Sequence, residues 1–117
     1  MEKEIKAKAR HIPVSAQKAR LVIDLVRGKD VVEALEVLSF TPNKAALLVS
    51  KLINSAIANA ENNLGLNRYD LYIHYIVADE GPTRKWRRFG ARGRVKPRLR
   101  RSSHLSLTLR EHEDEEA

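Results

Sequence analysis

The chain contains no cysteine among its 117 residues. Disulfide bonds, thiolate zinc sites and cysteine nucleophiles are therefore excluded together, and the composition is compatible with a reducing compartment. Aromatic residues are scarce at 5%, so leucine, isoleucine, valine and alanine must fill the core. The four histidines lack the spacing of metal ligands, and we expect neither a metal nor another cofactor.

Long hydrophobic runs are absent as well. The longest uninterrupted apolar stretch covers residues 45–49, far short of the ~20 residues that a membrane span needs. The first ten residues, MEKEIKAKAR, are charged and carry no apolar run of signal-peptide length. We therefore expect a soluble, intracellular protein with no membrane partner, and a length of 117 residues favours one domain.

Acidic residues are missing from one long stretch, between Gly81 and Leu109. Within it, residues 83–102 read TRKWRRFGARGRVKPRLRRS and contain ten basic side chains, without which the formal charge of +7 becomes −3. Such a block cannot be buried unpaired, and the planar donors of arginine match phosphate oxygens. The sequence thus predicts a nucleic-acid contact at Arg84, Lys85, Arg87, Arg88, Arg92, Arg94, Lys96, Arg98, Arg100 and Arg101.

The basic block lies between two segments of alternating polarity, residues 71–77 and 104–109. This position predicts a β-hairpin arm that reverses near Gly90 and Gly93, where glycine tolerates positive φ. An arm of ~11 residues would reach roughly 35 Å. A two-stranded ribbon is marginal in water, so we expect the partner to order its distal part. The alternative is a disordered basic tail.

Trp86 and Phe89 stand among these arginines. A distal arm offers no core for such rings, and aromatic side chains stack on bases in many RNA-binding proteins. The alternative is that the two rings pack on each other across the hairpin.

Three helices are expected between the first two strands. The first follows the N-cap Ser15 and ends before Gly28, and the second begins at a capping box formed by Asp30 and Glu33. The third is expected to start at Thr41-Pro42 and to end at Asn62. Its predicted buried stripe consists of Ala46, Val49, Ile53, Ala56, Ile57 and Ala60.

Alternating residues predict three strands. They cover residues 5–10, then residues 71–77 with Leu71, Ile73, Tyr75 and Val77 on one face, then residues 104–109. The predicted fold is α+β: a small three-stranded antiparallel sheet, three helices on one face, and a long protruding basic β-hairpin. Residues 1–110 would form this single domain, with residues 83–102 as the arm and residues 111–117 as a disordered acidic tail.

Basic residues of the first helix need separate treatment. Arg20, Asp24 and Arg27 are spaced to pair with one another, so a solvated ion-paired face and RNA contact are both open for them. Lys18 and Lys29 have no such acidic partner in the sequence, and both are predicted RNA contacts.

Catalysis is not expected. Asp79 and Glu80 are adjacent, as are Ser102, Ser103 and His104. Neighbours in a strand point to opposite faces, which separates Asp79 from Glu80 and Ser103 from His104, and no acid that could orient His104 lies nearby in sequence.

Five segments together resemble the family of bacterial large ribosomal subunit protein twenty-two, over nearly the whole chain. They are SAQKAR at 15–20 with VRGK at 26–29, SAIANAENN at 55–63, DEGP at 79–82, ARGR at 91–94 and RSSHL at 101–105. Trp86, and Phe89 with Gly90, differ from the residues usual in the family.

The resemblance implies a structural constituent of the large ribosomal subunit that binds and organises rRNA and assists assembly. Its body would lie near the tunnel exit, and its hairpin would line the peptide exit tunnel. The tip residues would be Trp86, Phe89, Gly90, Ala91, Arg92 and Gly93, and the hairpin landmark adds Ser103 and His104 to the RNA contacts. Implied partners are rRNA, neighbouring ribosomal proteins and the nascent polypeptide, and no homo-oligomer is expected. Alternatives are a free-standing RNA-binding or RNA-chaperone protein and a DNA-binding basic hairpin.

Overall fold

The computed structural model describes residues 4–82, 84–89 and 95–112, and for residues 84–89 and 95–100 it describes the backbone alone. Nine elements follow one another within these described residues. They are β1 (Glu4–Ile12), α1 (Ala16–Val26), α2 (Val31–Ser39), α3 (Lys44–Leu64), a 3-10 turn (Arg68–Asp70), β2 (Leu71–Glu80), β3 (Arg84–Phe89), β4 (Val95–Arg100) and β5 (Ser103–Glu111).

The body is an α+β domain, as predicted. Strand β5 lies at the centre of a three-stranded antiparallel sheet in the order β1-β5-β2. Its leucines Leu105, Leu107 and Leu109 are at most 1% exposed, because they alternate towards the face that the helices cover. The core therefore lies between this face of the sheet and α1 and α3.

Helix α3 buries the predicted stripe, and all six of its residues belong to the core. The helix ends at Leu64, two residues later than predicted, and Gly65 closes it with a left-handed φ of 66°. The expected start at Thr41-Pro42 was wrong: Asn43 is the N-cap, and its side chain accepts from the Ala46 N–H at 2.8 Å. The Thr41 hydroxyl instead donates to the Val37 carbonyl at the end of α2.

Helix α2 begins where the sequence predicts, but the capping box does not form. Asp30 is the N-cap residue without a side-chain capping bond. Its carboxylate oxygen Oδ1 lies 2.6 Å from His112 Nε2, while Glu33 pairs with Lys29 at 3.4 Å. Both carboxylates therefore bind partners that are not the backbone N–H groups of the box.

Strand β2 contains an irregularity that the alternation did not reveal. Its register against β5 shifts between Ile73 and Tyr75, so the inward face continues with Ile76 and Ala78. Tyr75, expected on the same face as Ile73, is 52% exposed on the opposite side. An extra residue at a bulge reverses the facing of everything after it.

Glu111 and His112, the first two residues of the predicted acidic tail, are part of the described structure. Strand β5 includes Glu111, and the His112 N–H donates to the Asp70 carbonyl at 2.7 Å. The His112 ring also stacks on Tyr72 with centroids 4.7 Å apart. These two residues belong to the fold, and residues 113–117 lie outside the described part of the chain.

Strands β3 and β4 form a separate two-stranded antiparallel sheet, from the pair Arg84–Arg100 to the pair Phe89–Val95. The radius of gyration is 17.8 Å and the longest dimension 74 Å, whereas a compact chain of this length has a radius of about 13 Å. The predicted reversal at Gly90 and Gly93 lies outside the described residues.

Candidate nucleic-acid interface

The two-stranded ribbon, formed by β3 and β4, joins the body where the end of β2 meets the start of β5, a junction that we call the crossing. The Gly81 N–H donates to the Ser102 carbonyl at 2.9 Å, and the Ser102 hydroxyl donates to the Pro82 carbonyl at 2.8 Å. A Cβ at position 81 would lie 2.5 Å from Ser102 Oγ, which explains why glycine occupies this crossing. Glu80 still pairs with Ser103 in the main sheet. The base of the ribbon is therefore tied to the core strands.

The register between β3 and β4 assigns alternate positions of the ribbon to its two faces. Arg84 pairs with Arg100, Trp86 with Arg98 and Arg88 with Lys96, so alternate positions that share one face carry five basic residues and one tryptophan. Lys85, Arg87 and Phe89 alternate with them and pair with Leu99, Pro97 and Val95. Positions 86 and 89 differ in parity along β3 and therefore belong to opposite faces of the ribbon.

A groove of about 1280 Å³ lies beside the base of the ribbon. The N-terminal ends of α1 and α3 line it, and helix N-termini carry partial positive charge. Lys18, Lys44 and Arg101 add three cationic side chains, and Glu80 is the single acid among its described lining residues. An extended anion fits this electrostatic setting better than a neutral ligand does.

Lys18 is exposed in this groove and forms no ion pair within the described part of the chain. Lys29 was expected to have no acidic partner, and that expectation was wrong because Glu33 binds it. An exposed pair of this kind is worth ~0–1 kcal/mol, so it leaves the lysine available to a stronger anion. Contact of either lysine with RNA stays a prediction.

Arg20 and Arg27 have structural partners. Arg20 Nε donates to the Ala78 carbonyl at 3.1 Å, and Arg27 Nη2 donates to the Ile76 carbonyl at 3.1 Å. Arg27 also pairs with Asp24 at 2.9 Å. These bonds satisfy carbonyls on the outer edge of β2 and attach α1 to the sheet, so they favour the structural alternative over RNA contact.

The two predicted RNA contacts at the start of β5, Ser103 and His104, differ in solvent exposure. Ser103 is fully buried, and its hydroxyl has no hydrogen-bond partner among the described residues. We therefore leave it out of the proposed RNA contacts. His104 Nδ1 accepts from the His11 N–H at 3.1 Å, and the two rings meet edge to face. His104 thus holds the end of β1 against β5 at the base of the ribbon.

Of the remaining predicted contacts, Arg101 lies in the groove, and the other positions in β3 and β4 are placed by backbone pairing. Gly90, Ala91, Arg92, Gly93 and Arg94 lie outside the described residues. Sequence reasoning missed Lys44, because only the packing of the helices brings the start of α3 beside the start of α1 in this groove.

Residues 7–110 match the family model described as "Ribosomal protein L22p/L17e". The chain belongs to this family. Two similar proteins are the large ribosomal subunit proteins uL22 of Thermoanaerobacter sp. (strain X514) and Thermoanaerobacter pseudethanolicus (strain ATCC 33223 / 39E). Each is 49% identical over 110 residues, which cover 94% of this chain and 99% of the relative. These matches confirm the resemblance that the five segments indicated.

The L22p/L17e family is structural and non-enzymatic, which confirms the prediction that the chain is not an enzyme. Within residues 4–82, 84–89 and 95–112, no group of three or more histidine or acidic side chains could hold a metal ion. The helices described are all too short or too polar to cross a membrane.

Proposed function

We propose that this chain is a structural constituent of the large ribosomal subunit in the cytoplasm, where it binds and organises rRNA and assists assembly. The observation that carries the proposal is the concentration of ten basic residues in and around a two-stranded ribbon of an L22p/L17e family member. Residues 1–110 would act as one domain, with residues 83–102 as its RNA-binding arm.

Two features of the body support this arrangement. The crossing at Gly81 and Ser102 ties the ribbon to the core strands, so binding energy gained along the ribbon orients the whole domain. The groove with Lys18, Lys44 and Arg101 lies at the same end. A phosphate backbone that follows the ribbon would continue into this groove without crossing an acidic surface other than Glu80.

The tip of the arm would line the peptide exit tunnel and meet the nascent polypeptide. Its residues are Trp86, Phe89, Gly90, Ala91, Arg92 and Gly93. The support is the family resemblance together with the 74 Å length of the molecule. The body would contact neighbouring ribosomal proteins, and the family membership favours this role over a free-standing RNA chaperone.

Sedimentation tests the ribosomal role. Tagged protein expressed in bacterial cells should sediment in stoichiometric amount with large subunits and remain there after washes of moderate salt. The triple variant Arg98→Gln/Arg100→Gln/Arg101→Gln should be depleted from the subunits, whereas Lys51→Gln on α3 should not. Release of the unmodified protein into the soluble fraction would contradict the proposal and favour the free-standing alternative.

Salt dependence tests the mechanism of binding. If ~6–8 basic residues of the arm displace counterions, the logarithm of the association constant for rRNA should fall against the logarithm of salt concentration with a slope of about −4 to −7. Each single arginine-to-glutamine change in the arm should reduce the slope by less than about 1. A slope near −1 would contradict phosphate neutralisation along the arm.

A further inference from the structure

The outer face of the three-stranded sheet is not covered by any described element, because α1, α2 and α3 all lie on the other side. Lys6, Lys8 and Arg10 of β1 are exposed along one margin of this face. Tyr75 of β2, turned outward by the register shift, is 52% exposed along the other. The half-buried residues Ser106 and Thr108 lie between the two margins.

The register brings these residues into rows across the sheet. Thr108 pairs with Lys6 on one side and Tyr75 on the other, and Ser106 pairs with Lys8 on one side and Val77 on the other. Two strand spacings put the lysine margin ~10 Å from the tyrosine margin. Small hydroxyl residues at the centre leave a shallow depression of about 310 Å³, lined by Lys6, Lys8, Tyr75, Ser106 and Thr108 among others.

The charge of this depression is positive and unbalanced. Lys6 and Lys8 form no ion pair with any described residue. The nearest acid on β1, Glu4, is bound by Arg110, whose Nε donates to Glu4 Oε1 at 2.9 Å. Arg110, by hydrogen bond and then by charge, lowers the pKa of Glu4, with a smaller effect from Lys6. No acidic side chain is among the described residues that line the depression.

An exposed tyrosine ring beside unpaired lysines and hydroxyl groups matches the chemistry of an unpaired nucleotide. The ring can stack on a base, the ammonium groups can bind the adjoining phosphates, and serine or threonine hydroxyls can bind sugar or base edges. A duplex would not expose a base to the ring. An acidic peptide would satisfy the lysines but would leave the ring without a planar partner.

We propose that the outer face of the sheet is a second RNA-binding surface, which takes a single-stranded segment by stacking a base on Tyr75 and binding phosphates with Lys6 and Lys8. This inference rests on the proposed RNA-binding function but uses residues separate from the arm and the groove. One protein would thus bind rRNA phosphates with the arm and an unpaired segment with the outer face of the sheet.

The test is a nuclear magnetic resonance titration of the ¹⁵N-labelled full chain with the hexanucleotide U6 at low salt. Amide signals of Lys6, Lys8, Tyr75 and Thr108 should shift together, with a dissociation constant separate from that of the arm signals. Tyr75→Leu should weaken binding at the sheet face at least about fivefold. Lys6→Gln/Lys8→Gln should reduce the salt slope of that site by about 1.4. Both variants should leave the arm signals responsive.

Matched controls lie elsewhere on the body. Tyr69→Leu removes a tyrosine that is 72% exposed, and Lys51→Gln removes an exposed lysine of α3; neither should change binding at the sheet face. Tyr75→Phe keeps the aromatic ring and should retain binding. Loss of binding in this variant would overturn the stacking mechanism.

Other outcomes separate this inference from the proposed function. Shifts confined to the arm would overturn the sheet-face site and leave the arm's role intact, whereas no shift anywhere would contradict both. Equal shifts at the sheet face with a hexaglutamate peptide would identify an acidic protein as the partner and overturn the RNA assignment. Equal shifts with an RNA duplex would likewise exclude base stacking.

Discussion

At the residue scale, Gly81 controls how the arm joins the body. Alanine there would bring its Cβ to 2.5 Å from Ser102 Oγ and 3.3 Å from the Ser102 backbone. The hydroxyl would have to rotate and lose its bond to the Pro82 carbonyl. We expect Gly81→Ala to lower the free energy of unfolding in urea by about 1–2 kcal/mol.

A double-mutant cycle isolates this contact. Ser102→Ala alone should cost about 1 kcal/mol through the lost hydrogen bond. In the Gly81→Ala background it also removes the crowded oxygen, so the combined loss should be smaller than the sum of the single losses by about 1 kcal/mol. Strict additivity would show that the close approach of Gly81 to Ser102 does not limit stability.

The ion pair between Glu4 and Arg110 ties the margins of β1 and β5 together at one end of the sheet. The hydrogen bond and charge of Arg110 lower the pKa of Glu4 in the folded protein. A lowered carboxyl pKa stabilises the fold above the unfolded value of about 4.3, and this stabilisation is lost as pH falls through the lower folded value.

The expected result is a pH-dependent difference between two variants. Glu4→Gln should melt at a lower temperature than the unmodified protein at pH 7. The difference should vanish as the pH falls below the pKa of the Glu4 carboxyl in the folded protein. Glu36→Gln, on the exposed side of α2, is the control for a change of net charge. A difference for Glu4→Gln that persists unchanged to pH 2 would show that the pair does not act through ionisation.

At the element scale, the start of α3 depends on Asn43. Its side chain satisfies the Ala46 N–H, which would otherwise lack a helical partner. Asn43→Ala should therefore destabilise the protein by about 1 kcal/mol, and Asn43→Asp should retain most of the stability. Thermal unfolding of both variants provides the measurement, with Ser50→Ala inside the helix as a control. Equal stability of Asn43→Ala and the unmodified protein would contradict this cap.

The elements also show which features sequence can predict. The stripe of α3 and the leucines of β5 follow directly from periodicity, because burial on one face is all that those patterns encode. The bulge in β2 adds a residue without breaking the apolar character of Tyr75, Ile76 and Val77, so alternation alone misplaced their faces. The sequence pattern also could not show that His112 binds the Asp30 carboxylate in place of the helix cap, because His112 lies 82 residues away in the chain.

Part of the candidate interface could likewise be predicted from the sequence, and part required the structure. Charge density identified the basic block, since a run of arginines without acids needs no structure to be recognised. The groove with Lys18, Lys44 and Arg101 and the sheet face with Lys6 and Tyr75 join segments that are distant in sequence. Only the pairing of the strands and the packing of the helices bring these side chains together.

At the scale of the whole molecule, folding and RNA binding should be separable. Among the residues whose burial is described, the hydrophobic core lies within residues 5–78 and 105–109. Replacing residues 83–101 by a turn of ~4 glycine-rich residues keeps Gly81 and Ser102. Because the new loop is shorter, the entropic free-energy cost of closing it is lower by about 1 kcal/mol. The shortened protein should unfold cooperatively in urea, at a midpoint equal to or above that of the full chain.

The same deletion should remove most of the affinity for rRNA, because the formal charge changes from +7 to −3 when the ten basic residues are lost. Binding that persists should come from the sheet face and from Lys18 and Lys44 in the groove, and it should have a salt slope of about −1 to −3, as expected for two to four lysines on a single strand. Filter binding of rRNA to both proteins at two salt concentrations provides the comparison. Loss of cooperative unfolding would mean that the ribbon supports the core, whereas undiminished affinity with a steep slope would mean that the arm is not the main RNA contact.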